Sequence, residues 1–216
     1  MKIAILGTGV VGETLGTKLV ELGHEVRMGS RTANHEKAVA WTRKAGARAS
    51  QGTFADAAAF GELLFNCTAG TASLEALKLA GAEHLKGKVL VDVANPLDFS
   101  KGFPPTLSIC NTDSLGEQLQ RAFPDVKVVK SLNTVAADVM VNPGLLPAPT
   151  DIFVAGNDAG AKKQVTQVLT EGFGWKRVVD LGDITTSRGT ESYLFLWLRL
   201  YQALGTPHFN VQLVRA

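Results

Sequence analysis

The sequence predicts an α/β fold of the Rossmann type, a doubly wound and mostly parallel sheet with a short C-terminal helical extension. Three observations predict it. The apolar run Ile3-Ala4-Ile5-Leu6 meets a glycine-rich turn, Gly7-Thr8-Gly9-Val10-Val11-Gly12, of the form GxGxxG. Behind that turn Val11, Leu15, Leu19 and Leu22 recur at helical spacing. Short apolar runs then alternate with helix-period stretches as far as Asp180, with no linker or internal repeat between them.

In order, strand Ile3–Leu6 leads through the glycine turn into a helix that Gly23 ends, and Glu25–Gly29 forms the second strand. Asn34 can cap a helix running through Val39 and Trp41 to about Ala45. A short strand at Arg48–Ser50, a helix at Asp56–Phe60 and a strand at Glu62–Cys67 follow. A helix over Ser73–Leu79 leads to strand Lys88–Val93 and the turn Ala94-Asn95-Pro96-Leu97. Phe99–Ile109 reads as a surface loop beside a substrate pocket. Thr112 or Asp113 opens a helix to Phe123, and strand Val126–Lys130 ends at Ser131-Leu132-Asn133-Thr134. A short helix over Val135–Met140, strand Asp151–Gly156, helix Ala159–Leu169 and strand Lys176–Asp180 extend the sheet by a further βαβ unit.

Residues 1–180 are thus read as one nucleotide-binding domain with an extended sheet, and residues 181–216 as a helical extension packed on it. The helix expected over Thr190–Leu204 is apolar on nearly every face, so it must be covered on most sides. Packing against the sheet is the first expectation; a dimer interface or an aromatic wall over the ligand is the other.

Composition excludes several classes. The net charge is +2 with no run of Lys and Arg, so the footprint of a nucleic-acid binder is missing. The apolar run Tyr193–Leu198 is far shorter than the ~20 residues that span a bilayer, and the first apolar run is broken too early for a targeting signal. Cys67 and Cys110 cannot form a disulfide framework and have no metal-ligand spacing, which fits a reducing cytoplasm.

The chemistry concentrates at the carboxyl ends of the strands, where open parallel sheets hold ligands. In GxGxxG the first glycine makes the turn, the second admits a pyrophosphate to the backbone and the third lets helix pack on strand. Free N–H groups at the helix start then face the phosphates. An NAD site would carry Asp or Glu after the second strand; here Ser30-Arg31 stands there, which suits a 2′-phosphate and therefore NADP(H). His35 and Lys37 can each add to that anion pocket or lie at a solvated helix start, the solvated reading being preferred for His35. Asn66, Cys67, Thr68 and Ala69 should border the cofactor. Asn95 can donate to a nicotinamide carboxamide or cap its own turn.

No acid/base pair or nucleophile is assigned. Cys67 has no histidine near it in sequence and reads as inert packing. Lys130 is weighed as a proton donor against a half-exposed structural lysine, and the latter is preferred. His24, His84 and His208 are placed at the surface.

Gly7–Gly12, Gly29-Ser30-Arg31, Ala94-Asn95-Pro96 and especially Lys130-Ser131-Leu132-Asn133-Thr134 resemble the reductases of the coenzyme F420-dependent NADP oxidoreductase family. The cytoplasmic oxidoreductase domain of the STEAP metalloreductases is similar in the same motifs. The resemblance implies a small dimeric Rossmann protein that exchanges hydride between NADPH and a flavin or deazaflavin. It implies that Thr8, Gly9, Val10 and Val11 hold the pyrophosphate and Ser30 and Arg31 the 2′-phosphate. Ala94, Asn95, Pro96, Asn133, Thr134 and Ala137 would surround the nicotinamide. The chain departs from the family at Leu132, where an aromatic is common, and no motif marks deazaflavin contacts. A carbonyl or imine reductase and a non-enzymatic NADP(H) sensor remain as alternatives.

Overall fold

The structure is a computed structural model and describes residues 1–215. Its strands are β1 (Lys2–Leu6), β2 (Glu25–Ser30), β3 (Ala49–Thr53), β4 (Leu63–Asn66), β5 (Val89–Asp92), β6 (Leu97–Asp98), β7 (Thr106–Leu107), β8 (Lys127–Ser131), β9 (Asp151–Gly156) and β10 (Arg177–Asp180). The helices are α1 (Val10–Glu21), α2 (Glu36–Ala45), α3 (Phe54–Phe60), α4 (Gly70–Ala80), α5 (Ala82–Leu85), α6 (Leu115–Ala122), α7 (Ala137–Val141), α8 (Ala159–Gln167), α9 (Ser187–Ser192) and α10 (Leu194–Leu204).

Eight strands form one sheet in the order β10-β9-β8-β5-β4-β1-β2-β3. The six from β8 to β3 are parallel and reproduce the doubly wound order of a dinucleotide-binding fold. Both faces are covered, which is why these strands are continuously apolar rather than alternating. Ile3 and Ile5 point into one core layer with Leu15, Leu19 and Trp41. Ala4 and Leu6 point into the other with Phe54, Leu77 and Leu119.

The far edge differs from expectation. β9 runs antiparallel to β8, and β10 is parallel to β9, so the last two strands are reversed relative to the rest. A parallel return needs a crossover of a dozen or more residues, usually a long helix. Between β8 and β9 there are only the five-residue α7 and a 3-10 turn at Pro143–Leu145, and Trp175 Nε1 donates to the Met140 carbonyl at 2.9 Å. The segment expected as a loop over Phe99–Ile109 contains half of a small hairpin, β6 paired with β7.

The C-terminal helix is two helices, and only one edge of it packs into the fold. In α10 only Leu194 and Leu198 are buried, while Phe195, Leu196 and Leu204 are about half exposed. After α10 the chain doubles back: His208 pairs with Asp138 of α7, and Asn210 Nδ2 reaches Thr150 Oγ1 at 2.9 Å.

Several helix starts shift for identifiable reasons. α3 begins earlier than expected because Thr53 and Asp56 form a reciprocal capping box. Ser114, rather than Thr112 or Asp113, caps α6. Asn34 does not cap α2; it sits at φ +58°, a conformation asparagine tolerates, and exchanges hydrogen bonds with Gln51. No helix among the described residues is long and apolar enough to cross a membrane.

Candidate functional site

The glycine turn connects β1 to α1. Gly7 has φ +124°, and a Cβ there would lie 2.6 Å from the Cys67 carbonyl oxygen; a Cβ on Gly12 would strike the Gly7 carbonyl. Both positions must therefore be glycine for the turn to sit against β4. Gly9 is different: its Cβ position meets nothing within 4 Å. It is the N-cap of α1, and no side chain caps that helix end. The open space over uncapped N–H groups fits a pyrophosphate.

Two cavities flank this turn at the carboxyl ends of the parallel strands. The first, about 530 Å³, is lined by Gly7, Thr8, Gly9, Ser30, Arg31, His35 and Phe54, with Cys67, Thr68 and Ala69 on its inner side. The second, about 550 Å³, shares Cys67, Thr68, Ala69 and Thr71, and continues along Val11, Ala94, Asn95, Asn133, Thr134 and Ala137 to Leu194 and Trp197. One elongated molecule can occupy both, with its phosphates over Gly9.

The expected residues divide accordingly. Of those just named, Phe54 and Thr71 carry no sequence expectation; His35 is weighed there between the anion pocket and a solvated helix start, and Leu194 and Trp197 lie on the helix weighed as an aromatic wall. Five expected residues do not line either cavity. Val10 is exposed on α1 and faces away, and Gly12 is buried beneath the turn. Lys37 is exposed on α2, whereas His35, weighed for the anion pocket and for a solvated helix start, is half-buried, lines the first cavity and leaves its Nδ1 without a partner. Asn66 is fully buried: its Nδ2 donates to Asp92 at 2.8 Å and Ser73 at 3.0 Å, and its Oδ1 accepts from Thr68 at 2.7 Å. Its role is to orient Thr68. Pro96 is buried too, its carbonyl accepting from the Ser108 N–H at 2.8 Å.

At the Ser30-Arg31 loop, where the sequence expects a 2′-phosphate, Ser30 Oγ already donates to the Thr32 carbonyl at 2.5 Å. Its proton is engaged in shaping the loop, so the exposed Arg31 guanidinium is the principal free donor there.

At the opposite end Asn95 and Asn133 form a closed pair. Asn95 Nδ2 donates to the Asn133 carbonyl at 2.8 Å, and Asn133 Nδ2 donates to Asn95 Oδ1 at 2.9 Å. Leu132, just before, is buried with φ +65°, a conformation that bulky residues rarely adopt. The Thr134 hydroxyl is buried without a partner, and so is the Trp197 indole nitrogen. Trp197 is held in a stack between Tyr201 at 5.6 Å and Phe209 at 5.3 Å.

Lys130 is not half-exposed. It is completely buried and bonded to Asp92 and Glu191, each at 2.8 Å. Burial alone would push its ammonium down, but the two carboxylates outweigh that and hold it above its ordinary range. It is thus a fixed cation rather than a proton donor. Burial, with the Asp92 carboxylate behind it, pushes the Cys67 thiol far up, so Cys67 is a poor nucleophile. Asp98, at the rim of the second cavity, is held down by hydrogen bonds from Ser100 and stays ionised. No cluster of metal-ligating side chains occurs among the described residues.

The residues present therefore fit NADP(H): an uncapped helix start, a cationic loop and an apolar pocket in line. Comparison with known proteins agrees. Residues 2–96 match the family model described as NADP oxidoreductase, coenzyme F420-dependent. An F420-dependent NADP reductase of Methanocaldococcus jannaschii is 33% identical over 95% of this chain and 96% of its own length. Metalloreductase STEAP3 of Rattus norvegicus is 28% identical over 88% of this chain and 36% of its own. The crystal structure of a protein assigned as an F420-dependent NADP reductase from Arthrobacter sp. FB24 superposes with TM-score 0.94 at 51% identity, covering 100% of both chains. A reductive aminase from Aspergillus terreus shares the fold alone, with TM-score 0.67 and 20% identity over 94% of this chain and 62% of that one. This chain belongs to the coenzyme F420-dependent NADP oxidoreductase family and is an NADP-dependent oxidoreductase.

Proposed function

We propose that the protein transfers hydride between NADP(H), held across the two cavities, and a flavin or deazaflavin that enters the second. The observation that carries the reading is the chemistry of that second cavity. Its ionisable lining groups among the described residues are Asp98, which stays charged, and Cys67, which stays protonated. Neither is suited to deliver a proton to a developing alkoxide or amide. A flavin-type ring accepts hydride into a delocalised system and takes its proton from water, so alignment rather than acid catalysis is what the protein must supply.

When bound, NADPH supplies the hydride. Arg31 and His35 would hold its 2′-phosphate end, the N–H groups after Gly9 its pyrophosphate, and Ala94, Asn95 and Asn133 the nicotinamide side. Thr134 Oγ1 and Trp197 Nε1, buried and unpartnered, are the two groups left to hydrogen-bond the carbonyl or ring-nitrogen acceptors of the bound rings. The Trp197 stack would form one apolar wall against the bound rings. The lack of a proton donor weighs against a carbonyl or imine reductase.

A second copy of the chain would cover α10, whose Phe195, Leu196 and Leu204 project from a helix that must bury more than one edge. Such a homodimer shows as a doubled mass in sedimentation, which Leu196→Glu with Leu204→Glu should halve.

The test of function is NADPH oxidation followed at 340 nm with F420, FMN, FAD, riboflavin, ferric chelates and small carbonyls in turn. Turnover confined to carbonyls or imines would overturn the reading. Tight NADPH binding with no turnover on any acceptor would favour the sensor.

A further inference from the structure

We infer that Lys130 and Glu191 are positioning residues: a single buried cation ties together the two walls of the cavity that takes the nicotinamide, and so sets that half of the site from beneath. The inference rests on the placement of the nicotinamide in the second cavity proposed above.

An ammonium has three protons, and Lys130 commits each to a different part of the chain. Nζ donates to Asp92 Oδ2 on β5 at 2.8 Å, to the Ala94 carbonyl in the turn after it at 2.5 Å, and to Glu191 on α9 at 2.8 Å. The first two acceptors fix the Ala94-Asn95 floor of the cavity, since Asp92 also accepts from the Ala94 N–H at 3.3 Å. The third fixes the opposite wall. Glu191 lies three and six residues before Leu194 and Trp197, both of which line the cavity. Glu191 is itself anchored, accepting from the N–H groups of Leu115 at 2.8 Å and Gly116 at 3.1 Å at the start of α6.

Stability is a weak reason for such a cluster. Burying one cation with two carboxylates carries a large desolvation cost, and apolar side chains of the same volume generally serve a core as well or better. What apolar packing cannot do is hold three separate backbone segments at fixed hydrogen-bond distances. Lys130, Asp92 and Glu191 line neither cavity themselves, but the lining residues they hold, Ala94 directly and Leu194 and Trp197 through the chain after Glu191, face the second cavity and not the first.

The test compares two ligands. NADPH spans both cavities; adenosine 2′,5′-bisphosphate, which lacks the nicotinamide half, occupies only the first. Dissociation constants for both are measured by calorimetry on the full-length protein and on Glu191→Gln and Lys130→Met. Glu191→Gln keeps the shape and one oxygen acceptor, so it carries the test if Lys130→Met does not fold. Both variants should weaken NADPH about tenfold, the scale of one charge-assisted hydrogen bond, and leave the bisphosphate within about twofold. Equal weakening of both ligands would mean general loosening and would overturn the inference, as would no change in either. If the unaltered protein binds the two ligands equally, the nicotinamide half gains nothing from the second cavity. That result removes the placement on which the inference stands, and it is visible before any variant is made.

Discussion

Arg31→Ala gives the sharpest test of cofactor choice, because the structure isolates its effect. Arg31 is exposed at the end of β2, so its removal leaves no buried partner unsatisfied and the melting temperature should hardly move. Ser30 cannot compensate while its hydroxyl proton stays on the Thr32 carbonyl. The loss is then one charged, bidentate contact to phosphate, about 1.5–3 kcal/mol. At about 1.4 kcal/mol per factor of ten, NADPH binding should weaken roughly 12- to 150-fold. NADH has no 2′-phosphate and should be nearly unaffected. Fluorescence titrations with both cofactors measure the ratio, and NADPH affinity in the unaltered protein should fall with added salt while that of the variant should fall less. Equal losses for NADPH and NADH would refute the assignment of Arg31 to the phosphate, and with it the argument from Ser30-Arg31.

Other positions yield independent tests. A Cβ at Gly70, the first residue of α4, would fall on the Asn95 carbonyl with Pro96 Cα 2.8 Å away, so Gly70→Ala should push the Asn95 turn out of place. It should weaken NADPH and lower thermal stability by about 1–3 kcal/mol, the scale of overpacking; an unchanged melting curve would contradict it. Thiol titration of the native protein at pH 8 should find Cys110, which is exposed, and miss Cys67, which should react only in denaturant; two fast native thiols would show that Cys67 is not held protonated. Hydrogen bonds from Arg121 hold Asp113 down at about 2, below its unfolded value of about 3.9. Its stabilisation is thus present above about pH 3.9 and is lost as the pH falls through about 2. Asp113→Asn should lower the urea midpoint at pH 6, and the gap should close on approaching pH 2; a gap of constant size would rule out this linkage.

The lining of the first cavity was largely legible because what shapes it is local. A glycine turn, a helix start and the residues closing the next strand lie within 31 positions, and each carries its chemistry in its own identity. Asn34 takes a left-handed φ instead of capping, so α2 begins at Glu36; His35, its N-cap, lines the first cavity and Lys37 lies exposed on the helix. The nicotinamide end was half legible. Asn95 and Asn133 follow strand ends and so announce themselves, but Trp197 comes from an element whose path depends on the reversal of β9. The buried charges were not legible at all. Lys130 ends a strand, where exposure is common, and only the convergence of Asp92 and Glu191 from distant positions makes its burial tolerable.

That reversal of β9 has an engineering consequence. Because β9 is antiparallel to β8, residues 132–150 leave the sheet and rejoin it on the same side, the side of the ligand. The segment is therefore an excursion with both ends fixed in one place, carrying Asn133, Thr134, Ala137 and Met140 to the second cavity. Its α7 packs against α1 and its Val135, Val139 and Met140 lie in the core, so any exchange of this loop has to keep those positions while varying the ones that face the cavity. The lining of the second cavity is thus drawn in part from one excursion of the chain, apart from the glycine turn and the Ser30-Arg31 loop that line the first.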